Sequence, residues 1–237
     1  MSGEIYVLTV TAASIGFFHT LLGPDHYLPF IVMAKSGNWS LKKTSFITFL
    51  CGLGHVISSV ALGFLGIALG IGVSKLEIIE TVRGEFAAWA LIAFGIVYFV
   101  WGLRRALKQK PHSHFHTHGS DFEHVHKHVH IDEHSHIHEK ANTKNITPWV
   151  LFTIFVLGPC EPLIPILMYP AAKSSMIGVV WITSVFGIIT IATMLSVVLF
   201  SVYGINFLPM KKLEKYMHAI AGATISLSGM AIQFLGL

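Results

Sequence analysis

Charge is what this sequence is shortest of. Only 12% of its 237 residues are Asp, Glu, Lys or Arg, while 53% are hydrophobic. Soluble domains carry about 25% charged residues, so the deficit argues against a water-soluble fold and points to a membrane protein. Cysteine is nearly absent as well. Cys51 and Cys160 are the only two and both lie in apolar stretches, so a disulfide framework is not indicated. No nucleotide-binding motif occurs, and any transport would draw on a membrane potential, a proton gradient or a partner. The N-terminus lacks a basic stretch, its one early charge being Glu4. The first apolar run therefore reads as a retained membrane helix rather than a cleaved signal. The formal charge of +4 fits basic flanks of membrane helices, and no nucleic-acid partner is expected.

What is abundant is apolar length. Residues 44–73, 86–103, 148–170, 176–208 and 216–237 each offer the roughly 20 residues needed to cross about 30 Å of hydrocarbon. A sixth run, 5–33, is interrupted by Gly23-Pro24-Asp25-His26. The expected fold is an all-α integral membrane protein of about six transmembrane helices. With the N-terminus outside, thirteen Lys and Arg fall in inner loops and three (Lys75, Arg83, Lys173) in outer ones. The positive-inside rule then places both termini outside a cell membrane and the long third loop in the cytoplasm. Glu77, Glu80 and Glu85 fall on the outer side.

The two halves align with each other. Leu22-Gly23-Pro24-Asp25-His26-Tyr27-Leu28 lies over Leu157-Gly158-Pro159-Cys160-Glu161-Pro162-Leu163 at an offset of 135. Gly95-x6-Gly102-Leu103 matches Gly229-x6-Gly236-Leu237 at an offset of 134. Three spans per copy is an odd number, so the second copy enters from the opposite face, the inverted-repeat plan of many transporters. The expected divisions are a first three-helix repeat at 1–110, a His-rich loop at 111–147 and a second repeat at 148–237. Gly-Pro breaks the first helix of each copy, because proline lacks an amide donor and glycine accepts dihedrals other residues resist. Backbone groups freed at membrane depth need partners in protein, a wet cavity or an ion.

Ligand-type side chains follow both breaks. The first copy carries His19, Asp25 and His26, and the second Cys160 and Glu161. His55 adds an imidazole in the second span, and its counterpart by offset is Thr190, a weaker candidate. Ionisable groups inside a bilayer suggest an ion path. Imidazole, carboxylate and thiolate together suit nickel, cobalt, zinc, ferrous iron or manganese. In the third loop stand His112, His114, His116, His118, His124, His126, His128, His130, His134, His136 and His138, most spaced by two. Such a polar tract is expected to be disordered when empty and to chelate divalent metals.

His19-x5-Asp25-His26 after Gly23-Pro24, with Gly54-His55 and the His-rich loop, resembles the NicO-type nickel/cobalt transporters and the related urease-accessory permeases of the lysine-exporter superfamily. That resemblance implies nickel or cobalt transport, with His19, Asp25, His26 and His55 as pathway ligands. The leading expectation is thus a secondary transporter, not an enzyme, whose divalent metal is substrate rather than cofactor. The ion would bind between the broken helices, with Asp25 and Glu161 offsetting its charge; the chain meets lipid, and this reading is compatible with an oligomer. Zinc, another metal or a non-metal cargo of the same superfamily are variants of this reading. The alternative is a transmembrane thiol–disulfide electron carrier, which also uses inverted three-helix repeats with Cys beside Pro. Such carriers place a cysteine in each copy, whereas Cys160 pairs by offset with Asp25. A metal sensor or chaperone-docking subunit is the remaining class.

Overall fold

The structure is a computed structural model that describes residues 3–108, 112–116, 124–128, 147–172, 175–205 and 213–236. Helices account for nearly all of it. In order they are α1 (Gly3–Leu22), a 3-10 turn (Pro24–His26), α2 (Leu28–Ser36), α3 (Leu41–Ala68), α4 (Val73–Lys108), α5 (Thr147–Leu157), α6 (Leu163–Ala172), α7 (Met176–Ile205), a second 3-10 turn (Glu214–Tyr216) and α8 (Met217–Leu235). Five segments are long and apolar enough to cross a bilayer: α1, α3, α4, α7 and Glu214–Leu235. Their outward faces carry large apolar side chains such as Phe86, Ile177 and Phe200, as lipid contact requires.

The Gly-Pro break expected in each half is present among the described residues, where five rather than six segments are long and apolar enough to cross on their own. The run expected at 148–170 is divided into α5, of 11 residues, and α6, of 10, each too short to span alone. The cause is local. Pro159 and Pro162 have no amide to donate, and α5 ends where the Gly158 amide bonds the carbonyls of Ile154 and Phe155. The first break differs because it falls after a full 20-residue helix. There the Gly23 amide closes α1 on His19, His26 turns back onto Gly23, and Pro29 sits in the opening turn of α2.

The closest helix crossing is α4 against α8. A Cβ on Gly95 would meet the Ser226 Cα at 2.7 Å, and one on Gly222 would strike the Phe99 backbone. Gly102 faces the partner helix just as tightly and Gly229 somewhat less so, so the two backbones touch as small-residue interfaces in membranes do. Elsewhere α1 and α2 pack on α7, α5 and α6 pack on α3, and α3 packs on α7. The main core joins Phe30 and Met33 of α2, Cys51 of α3, Phe155 of α5, Met194 of α7 and Ile225 of α8.

Part of the His-rich loop is described. His112–His116 pairs antiparallel with His124–His128, setting His112 opposite His128, His114 opposite His126 and His116 opposite His124. The tract expected to be disordered therefore contains a short ribbon at these positions. His118, His130, His134, His136 and His138 lie outside the described residues.

Candidate functional site

The break after α1 brings three imidazoles together. His19 lies in the last turn of α1, His26 closes the 3-10 turn, and His55 sits midway along α3. Their rings meet edge to face, with centroids 4.8 Å apart for His19 and His26 and 5.1 Å for His26 and His55. One nitrogen from each lies within 4.8 Å of the others. Because Gly23 and Pro24 end the helix, His26 folds back over His19 rather than standing two turns along the same face.

Two glycines make the room. A Cβ on Gly23 would lie 2.6 Å from His26 Nδ1 and 2.9 Å from Asp25 Oδ1, and one on Gly158 would lie 3.3 Å from His55 Nδ1. Asp25 Oδ1 stands 3.0 Å from His26 Nδ1. A carboxylate accepts only, so Nδ1 carries the proton and Nε2 is left with a lone pair. That Nε2, His19 Nε2 and both ring nitrogens of His55 are buried without a well-formed hydrogen bond. The three histidines, Asp25, Glu85 and Glu161 border a cavity of about 560 Å³.

The remaining expected ligands fall elsewhere. Glu161 lines the cavity and is exposed, outside the three-histidine cluster. Cys160 is fully buried in a second apolar cluster with Ala12, Leu163, Ile182 and Phe186. Thr190 is buried against α1, where a Cβ on Gly16 would lie 3.3 Å from its hydroxyl.

A charged pair that sequence reasoning counted only as outer-loop charge holds the second break. Glu80 is fully buried and accepts from Arg83 at 2.7 Å, from Ser59 at 3.4 Å and from the Cys160 amide at 3.2 Å. Arg83 donates to the carbonyls of Val156 and Gly158 at 3.1 and 3.0 Å, and to the Ser58 hydroxyl at 2.9 Å. A cation thus meets the carbonyl end of α5 while an anion meets the amide that opens α6, the arrangement both helix ends favour. An acid and a base three apart on one helix, Glu80 and Arg83, was the available signal. At the first break the Tyr27 hydroxyl donates to the Leu21 carbonyl at 3.3 Å.

A family model matches residues 28–231, while no curated protein and no solved structure matches the chain. The match overturns the resemblance to NicO-type nickel/cobalt transporters and urease-accessory permeases, and nothing in it supports nickel or cobalt as cargo. His19-x5-Asp25-His26 is a short motif lying before residue 28, and a few clustered ligand-type residues arise more readily by chance than a pattern spread over most of the chain. The match favours the thiol–disulfide electron carrier over the metal-ion transporter. The matching family is described as the cytochrome C biogenesis protein transmembrane region, and this chain belongs to it.

Proposed function

We propose that the chain carries reducing equivalents across a cell membrane by thiol–disulfide exchange, using Cys51 and Cys160. Family membership is the observation that carries this reading. In the oxidised chain a Cys51–Cys160 disulfide is attacked by one thiolate of a partner dithiol. A mixed disulfide forms, the partner's second thiolate displaces it, and the partner leaves as a disulfide with both chain sulfurs reduced. On the opposite face the two thiols reduce an acceptor disulfide by the same steps in reverse, so two electrons and two protons pass.

Both cysteines are free thiols here. The Cys160 amide bonds Ser59 at 3.2 Å, and Cys51 precedes Ser59 on α3 by eight residues, about 12 Å along the axis. A disulfide needs Cα atoms within about 7 Å. Oxidation therefore requires the α5–α6 break to slide along α3 by at least one helical turn, a shift of a known kind. The inverted three-plus-three repeat supplies such a motion. Its support is that α1 and α2 pack on α7 as α5 and α6 pack on α3, while α4 meets α8 and α3 meets α7. In this reading both termini lie outside and the His-rich loop is cytoplasmic, as the basic residues favour.

The test is transfer from a membrane-impermeant dithiol outside proteoliposomes to a disulfide reporter inside. Cys160→Ser and Cys51→Ser should each abolish transfer. Undiminished transfer in either would overturn the proposal.

A further inference from the structure

We infer that His19, His26 and His55 form a three-imidazole binding site for a borderline divalent transition-metal ion, with Asp25 as the residue that orients His26. This goes beyond thiol exchange and uses neither cysteine. The nitrogens come from three separate segments, α1, the 3-10 turn and α3, yet lie within 4.8 Å of one another. Ligands about 2.0–2.1 Å from a tetrahedral ion stand roughly 3.3 Å apart, so small rotations of the rings close the set. No apolar packing need explains four buried ring nitrogens without a well-formed hydrogen bond, one His55 nitrogen having only the Phe155 backbone nearby; bilayer-depth polar atoms normally find partners, and lone pairs converging on a cation would satisfy them.

Asp25 supplies the second argument. By accepting from His26 Nδ1 it fixes the tautomer whose Nε2 lone pair joins the cluster, the carboxylate–histidine relation common behind bound metals. Gly23 and Gly158 supply the third, since side chains there would crowd the Asp25–His26 pair and the His55 ring. The cavity of about 560 Å³ reaches all three rings, leaving the fourth position to water or an incoming ligand. With Cys160 enclosed in its own apolar cluster, the donor set is nitrogen alone, which suits a borderline divalent ion such as zinc better than a soft monovalent one.

The experiment is zinc(II) titration of the full-length chain in nanodiscs. The eleven loop histidines are replaced by asparagine so that only the membrane site is read. One zinc per chain should bind. X-ray absorption at the zinc edge should show nitrogen at about 2.0–2.1 Å and no sulfur at about 2.3 Å. Asp25→Asn should weaken binding about 10- to 100-fold, and His26→Gln or His55→Gln should abolish it. Cys160→Ser should leave affinity and spectrum unchanged, which separates this site from the thiol reaction. Melting curves of the zinc-free variants confirm that each is folded, and His19→Gln serves for any variant that is not. The proposal is overturned by absence of zinc binding in the folded loop-substituted chain, by a sulfur ligand, or by histidine variants that bind as tightly as the parent.

Discussion

Arg83 reaches across 75 residues of sequence to donate a 3.0 Å hydrogen bond to the carbonyl of Gly158. The same guanidinium holds Glu80, whose carboxylate accepts the Cys160 amide. One ion pair on α4 therefore terminates α5 and starts α6.

Arg83→Ala leaves a buried carboxylate unpaired and two carbonyls without their donor. Removing one partner of a buried pair costs about 3–5 kcal/mol, and the 20% exposure of Arg83 sets this case near the lower figure. The double variant Glu80→Leu/Arg83→Leu should lose less than Arg83→Ala, because no charge is stranded. Thermal unfolding in detergent measures both. Equal stability of Arg83→Ala and the parent would show that the strut does not hold the break.

Gly23→Ala inserts a methyl 2.6 Å from His26 Nδ1. The Asp25–His26 bond should break, at an overpacking cost of about 1–3 kcal/mol. Nitrogen-15 shifts of His26 report the tautomer directly, and a spectrum matching the parent would contradict the tight fit.

Gly222→Val drives a side chain into the Phe99 backbone across the α4–α8 crossing. Backbone cannot swing aside as a side chain can, so the loss should reach at least about 3 kcal/mol, the upper end of ordinary overpacking. Gly204→Val, where a Cβ meets nothing within 4 Å, should be close to neutral. Parallel melting curves check the pair, and similar losses at both sites would refute the seam.

Cys51 and Cys160 are 1% and 0% exposed, so both should resist a small maleimide in the folded state. Arg83→Ala, by loosening the break, should speed labelling of Cys160 selectively over Cys51. Mass spectrometry of timed reactions resolves the two sites. Faster labelling of both together would mean general unfolding rather than release of one joint.

The breaks were legible at Gly23-Pro24 and Gly158-Pro159 because both residue types act on their own backbone, whatever surrounds them. The juxtaposition of His19, His26 and His55 was partly legible, as ligand-type residues in apolar runs, though their distances depend on how α1 and α3 meet. Where Cys160 and Thr190 point was not, since a break sets a side chain's direction only once its neighbours are packed. Glu80 and Arg83 were counted as charge at a boundary, and a tally of charges contains no information about two helix ends 75 residues away.

The glycine seam between α4 and α8 has a further consequence. Helices whose backbones interlock at Gly95, Gly102, Gly222 and Gly229 have no side-chain cushion on which to shear. In the proposed exchange cycle they would act as a keel, with the short segments at Gly23 and Gly158 moving around it.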